Sequence, residues 1–147
     1  MNRTDLEAIL PHRRGMLLLD SAELVEEDGV KVSKAKKLIR GDEFFLDGHF
    51  PGNPIVPGVI LCEILAQSAC VLLQENGGNV TTLLTGLDNI KFKRPVRPGD
   101  LVETSCRITA NKSVFYFAEG EVRVEGELCL SGKFSFAILK EKQKEGG

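Results

Sequence analysis

At 147 residues, with a formal net charge of −2 and ordinary apolar content, the chain has room for one domain with a modest core. So small a net charge gives no global attraction to nucleic acid or to a membrane surface. No run reaches the ~18 apolar residues of a membrane span, and "MNRTDLEAIL" lacks the basic-then-apolar pattern of a secretory signal. The four cysteines, Cys62, Cys70, Cys106 and Cys129, are dispersed, with no C-x-x-C and no zinc-type spacing. Reduced thiols, a cytoplasmic location, no metal and no cofactor are the resulting expectations.

In chain order, Thr4 and Glu7 fit a capping box ahead of Leu6, Ala8, Ile9 and Leu10, which predicts a short helix stopped by Pro11. "LLLDSAELVEEDGVKVSKAKKLI" reads as two strands joined at Asp28-Gly29. Residues 41–58, rich in Gly and Pro, read as an ordered loop. A helix from about Pro57 to Gln74 follows, with Pro57 in its first turn and Asn76-Gly77-Gly78 ending it. Val59, Ile60, Leu61, Ile64, Leu65, Ala66, Ala69, Val71, Leu72 and Leu73 make it apolar nearly all round, so it should be buried. The remainder is strand.

"TTLLTGLDNIKFKRPV" leads to a turn at Arg97-Pro98-Gly99-Asp100. "LVETSCRITA" then places Val102, Thr104, Cys106 and Ile108 on one face. "SVFYFAEGEVRVE" follows. The last strand alternates Leu128, Leu130, Phe134, Phe136 and Ile138 with Cys129, Ser131, Lys133 and Ser135. Period-two alternation means one packed face and one solvated face. An antiparallel sheet curled around the apolar helix, an α+β arrangement, satisfies both patterns. Residues 1–140 are expected to form a single domain, and 141–147 a frayed, charged tail.

The chemistry concentrates in "HFPGNPIVPGVILCEILAQSA", residues 49–69. Glu63 sits on the apolar helix, with Gln67 one turn further along the same side and no Lys or Arg on the helix to pair with it. A bare carboxylate in a core costs several kcal/mol. Glu63 must therefore be protonated, bonded from outside the helix, or facing a cavity. A carboxyl kept neutral is a usable acid. His49, one of two histidines, precedes the helix and has the residue type of a general base. Gly58 offers a first-turn N–H without an intrahelical partner, close approach, and the positive end of the helix dipole.

Base, acid and oxyanion donor together fit β-elimination of water from a 3-hydroxyacyl thioester. The working atoms of base and acid then have to lie within about 6 Å of each other, since they serve adjacent carbons. On spacing alone the alternatives stay open: His49 as a structural hydrogen-bonder, Glu63 as an interface residue, and the Gly-Pro cluster as a turn. Lys91, Lys93, Arg94 and Arg97 form either a solvated sheet edge or a landing for an acidic partner. His12 reads as structural. Cys62 reads as a small core residue, with nothing nearby to lower its pKa.

"HFPGNPIVPGVILCEILAQ" resembles the signature of the FabZ-type 3-hydroxyacyl-acyl-carrier-protein dehydratases of type II fatty acid synthesis. "LPHR" at 10–13, "LLLD" at 17–20 and "GLDNIKFKRPVRPGD" at 86–100 resemble further motifs of that family. The resemblance runs from about Leu10 to Leu139. It implies a hot-dog fold, homodimers that assemble as trimers of dimers, and an active site shared between protomers. Carried onto this chain, it implies His49 as base or proton shuttle and Glu63 as the acid for the departing hydroxyl. Gly58 N–H would serve the thioester carbonyl, Gln67 would hold Glu63 or a water, and the Ile55 carbonyl would fix the imidazole. The implied partner is acyl carrier protein, whose phosphopantetheine arm carries the substrate through a tunnel between protomers.

Glutamate at position 63 favours the FabZ type over the dehydratase-isomerase type, which usually has Asp there. Arg14-Gly15 and Leu84 depart from the family pattern at places that bear on tunnel shape. A dehydratase that also isomerises trans-2 to cis-3 chains, one serving polyketide-like or aryl polyene chains, and a non-catalytic acyl-binding module are the competing readings.

Overall fold

The computed structural model describes residues 1–10, 16–46, 54–73 and 80–140. Helix α1 spans Arg3–Ile9, and helix α2 spans Gly58–Leu73. The strands are β1 (Ser21–Glu27), β2 (Val30–Leu38), β3 (Val80–Phe92), β4 (Leu101–Lys112), β5 (Phe115–Val124) and β6 (Glu127–Lys140). They form one antiparallel sheet in the order β1-β2-β4-β5-β6-β3, and α2 packs across β4, β2 and β5. This is the hot-dog arrangement. No helix among the described residues is long and apolar enough to cross a membrane.

Local chemistry sets these elements. The β1–β2 hairpin closes through Asp28 (φ 52) and Gly29 (φ 77), the pair of left-handed residues that a two-residue hairpin turn needs. Helix α1 does have a capping box, but two residues earlier than Thr4 and Glu7 suggest. Asn2 Oδ1 accepts the Asp5 N–H at 2.9 Å, while Asp5 Oδ2 accepts the Asn2 N–H at 3.0 Å. Asparagine caps as well as threonine, and aspartate closes the box as glutamate does. In the turn before β4, Asp100 Oδ2 accepts the Arg97 N–H at 2.9 Å, and Gly99 takes φ 93.

Val102, Thr104 and Cys106 face α2 and are buried, as are Leu130, Phe134 and Phe136 on β6. Cys129 departs from the alternation. It is fully buried because β6 bulges there: Val122 pairs with Leu130 but Arg123 pairs with Leu128. The extra residue is turned inward. Its carbonyl accepts the N–H groups of Lys93 and Arg94 at 2.7 and 3.3 Å.

Helix α2 begins one residue after Pro57, whose carbonyl already accepts the Leu61 N–H at 3.3 Å, so Pro57 is the cap rather than the first helical residue. Gln74, the expected last residue, and the glycines after it lie outside the described residues, as do His12, Arg14-Gly15 and 141–147. The expectation of a wholly buried helix holds from Leu61 to Leu72 except at Glu63. It fails at Val59, which is 73% exposed in the first turn.

A buried chain of hydroxyls fixes the rotation of the helix. Ser68 Oγ lies 3.2 Å from Ser33 Oγ on β2 and 2.7 Å from Thr104 Oγ1 on β4, and Thr104 Oγ1 also accepts the Ala35 N–H at 3.1 Å. These polar atoms satisfy one another in a core where unpaired ones would cost ~1–3 kcal/mol each.

Candidate active site

With Ser68 pinned to the sheet, the preceding residue faces the other way. Gln67 is fully buried, and its amide is held at both ends. Its Oε1 accepts the Leu18 N–H at 2.9 Å, and its Nε2 donates to the Met16 carbonyl at 2.7 Å. The second Nε2 hydrogen goes to Glu63 Oε1 at 3.2 Å. The backbone at 16–18 thus dictates which end of the amide faces the acid. Only the NH₂ end can turn toward Glu63, because the oxygen is claimed by Leu18.

Glu63 itself is half-buried on the side of α2 that the sheet leaves open. One and a half turns earlier, Gly58 occupies the first helical position, where no preceding carbonyl of the helix can reach its N–H. Ile55, three residues before it, is half-buried. The segment is tied to the connection between β3 and β4 by the Val56 N–H, which donates to the Val96 carbonyl at 2.8 Å. His49 lies outside the described residues.

Upstream, the chain between β2 and α2 is clamped by a buried ion pair. Lys37 Nζ lies 3.1 Å from Glu43 Oε2, and both side chains are almost fully covered. Burial pushes the Glu43 carboxyl up. The N–H groups of Arg40 and Gly41 and the Lys37 ammonium outweigh it and bring the group down to about 2. A single 3-10 turn, Phe44–Leu46, follows directly.

The basic residues do not form one uniform patch. Lys91, Lys93 and Arg97 are exposed, whereas Arg94 is engaged by Glu127 at 3.2 Å and Asp100 at 3.9 Å. Leu84 is exposed on β3. Burial raises the Cys62 thiol, and raises Cys70 to about 11 and Cys106 to about 12. Thiols so shifted are not nucleophiles near neutral pH. A groove of about 420 Å³ on the outer face of the sheet is bordered by Lys91, Arg107, Glu119 and Lys133. It lies across the sheet from Glu63, and its charges already alternate.

Two features have little or no signal in the sequence. The backbone of Met16 and Leu18 orients Gln67, a contact that no side-chain pattern announces. Phe92, an aromatic between two lysines, lies against Gly58: a Cβ built on Gly58 would come within 2.5 Å of its ring.

An antiparallel sheet curled around one helix, with a tethered carboxyl on the open side of that helix, defines a hot-dog protein equipped with a helix-borne acid. A family model described as a FabA-like domain matches residues 10–133, and the chain belongs to that family. It is similar to the 3-hydroxyacyl-[acyl-carrier-protein] dehydratase FabZ of Alkaliphilus metalliredigens, at 39% identity over 142 residues, covering 95% of each chain. The FabZ dehydratase of Acetivibrio thermocellus is 35% identical over 147 residues, covering 98% of this chain and 99% of the relative.

Among solved structures, the dehydratase heterocomplex ApeI:P of Xenorhabdus doucetiae matches with a TM-score of 0.77 at 17% identity, covering 92% of this chain and 91% of that one. An uncharacterized protein of Pyrococcus horikoshii matches with a TM-score of 0.62 at 23% identity, covering 86% of each. These two likenesses bear on the fold.

Proposed function

We propose that the chain is a 3-hydroxyacyl-acyl-carrier-protein dehydratase of fatty acid biosynthesis, a hydro-lyase that converts 3-hydroxyacyl thioesters to trans-2-enoyl thioesters. The observation that carries the site assignment is the Glu63 carboxyl, the one charged side chain among the described residues of α2, held by an amide whose remaining atoms are all committed to the backbone. Full-length identity to FabZ dehydratases supports the substrate class.

In this reading His49 removes a proton from carbon 2. The released electron pair forms the carbon 2–carbon 3 double bond as the bond from carbon 3 to oxygen breaks. Glu63 gives its proton to the departing hydroxyl, which leaves as water. Negative charge that builds on the thioester oxygen is met by the Gly58 N–H at the positive end of α2. Gln67 holds Glu63 in its rotamer, and the Ile55 carbonyl orients the imidazole.

The acidic carrier protein would dock on exposed Lys91, Lys93 and Arg97, with Arg94 largely committed to its own carboxylates. A second copy of the chain would pair along β3, the sheet edge that carries the exposed Leu83, Leu84 and Leu87. His49 of one protomer would then serve Glu63 of the other, in dimers that assemble as trimers of dimers. Residues 1–140 act as one catalytic domain, with 141–147 as a tail, in the cytoplasm.

Purified protein given 3-hydroxyacyl carrier proteins of several lengths should release the enoyl products. His49→Ala and Glu63→Gln should each lose ~10²–10⁴-fold while staying folded. Variants that keep more than about a tenth of the wild-type rate contradict the assignment. A cis-3 product from trans-2-decenoyl carrier protein would add isomerisation to the activity.

A further inference from the structure

Phe92 closes β3, and its side chain is 58% exposed although it is among the larger apolar groups of the chain. The space around Gly58 explains its position. A Cβ at Gly58 would lie 2.5 Å from Phe92 Cε1, 2.8 Å from Cζ and 3.3 Å from Cδ1. One edge of the ring therefore rests on the Cα of the first residue of α2, with no side chain between them.

Two backbone links on either side of the contact hold it. Val56 N–H donates to the Val96 carbonyl at 2.8 Å, and Lys93 N–H to the Cys129 carbonyl at 2.7 Å. A bulge just upstream aims the ring. Asp88 pairs with Lys133 but Lys91 pairs with Ser131, so β3 carries an extra residue. Asn89 takes φ 55 to absorb it, and Ile90 folds onto Gly132, filling the space a side chain there would need. Bulges of this kind re-aim the side chains beyond them. The outcome is an apolar ring, half in water, fixed beside a backbone donor at a helix N-terminus. Apolar walls with a few placed donors are the usual make-up of a small-molecule site.

We propose that Phe92 is a specificity-determining residue: its ring walls the thioester end of the substrate and excludes acyl chains branched at carbon 2. The proposal rests on the dehydratase reading, in which the thioester oxygen accepts the Gly58 N–H. An oxygen ~2.9 Å from that nitrogen lies within van der Waals reach of a ring that already touches Gly58 Cα. Carbon 2 is bonded to the carbonyl carbon and comes next to the same ring edge. That edge leaves no room for a methyl group on Gly58, and it narrows the space for a methyl group on carbon 2 in the same way.

The test compares kcat/KM for 3-hydroxybutyryl and 2-methyl-3-hydroxybutyryl carrier protein in the wild type, Phe92→Ala and Phe92→Leu. The preference for the unbranched substrate should fall roughly tenfold or more in Phe92→Ala, with Phe92→Leu in between. The ring is exposed, so both variants should fold, and unchanged thermal midpoints verify it. A variant pair that turns over the unbranched substrate with the wild-type preference overturns the proposal. So do equal losses on both substrates. A wild-type protein that dehydrates neither substrate overturns the dehydratase reading itself, and the role of Phe92 with it.

Discussion

Replacing Gln67 by leucine keeps nearly the same volume in the core and removes three hydrogen bonds at once. The Leu18 N–H is buried and loses its acceptor, at a cost of ~1–3 kcal/mol. The Met16 carbonyl loses its donor too, but Met16 is half-exposed, so water can replace much of that bond. The loss should therefore approach the value for one buried orphan. For a chain of this size, each kcal/mol moves the thermal midpoint by ~2–4 °C, so a loss of ~1–3 kcal/mol means a drop of about 2–12 °C. Glu63 meanwhile loses the amide that fixes its rotamer, and a displaced catalytic group costs up to ~10²-fold in rate.

Gln67→Glu separates the two effects. It keeps an acceptor for Leu18 but removes both donors and sets a second carboxyl beside Glu63. Its activity should fall further than its stability. Thermal denaturation and kcat on a carrier-linked substrate read both variants. If Gln67→Leu were within ~0.5 kcal/mol of wild type and fully active, the tether would have no role in orienting the acid.

Glu43 has its carboxyl lowered from 4.5 to about 2, so the stability it contributes is complete above pH 4.5 and drains away as the pH falls toward 2. The drop is worth at most ~3 kcal/mol, and about 1–2 kcal/mol after solvent screening, so acid titrations of wild type and Glu43→Gln should converge across that window. Mixing His49→Ala with Glu63→Gln, with subunit exchange verified by a tag, should restore about a quarter of wild-type activity if sites are shared across a two-fold. Silence after verified exchange would place each site within one chain. Reversing the charges of Lys93 and Arg97 should raise KM for carrier-linked substrate in a salt-dependent way and leave a short carrier-free thioester unaffected. Equal losses on both substrates would mean damage to the fold instead.

Much of the fold is legible in the sequence because its two periods are clear. Val102, Thr104 and Cys106 alternate as a half-buried strand must, and the run from Leu61 to Leu72 is apolar on too many sides for a surface helix. Glu63 stands out for the same reason, as a carboxyl where the pattern calls for an apolar residue. What the pattern could not reveal depends on backbone irregularity or on distant contacts. The bulge that buries Cys129 leaves the residue alternation unchanged and alters only the pairing with β5. The tether of Gln67 uses main-chain atoms of Met16 and Leu18, which carry no residue code. The contact between Gly58 and Phe92 needs the whole β3 strand to return beside the helix start. The start of α1 offers two overlapping boxes, Asn2-Asp5 and Thr4-Glu7, and only geometry chooses between them.

In the proposed mechanism Glu63, on the open side of α2, delivers a proton to the leaving hydroxyl of a carrier-bound 3-hydroxyacyl chain. The most direct measurement follows 3-hydroxydecanoyl carrier protein by mass spectrometry with wild-type protein and with Glu63→Gln at equal concentration. Wild type should convert the thioester to a species lighter by one water, and folded Glu63→Gln should be slower by ~10²-fold or more. A wild-type protein that leaves the thioester intact, or a Glu63→Gln variant that dehydrates it at the wild-type rate, would contradict the claim.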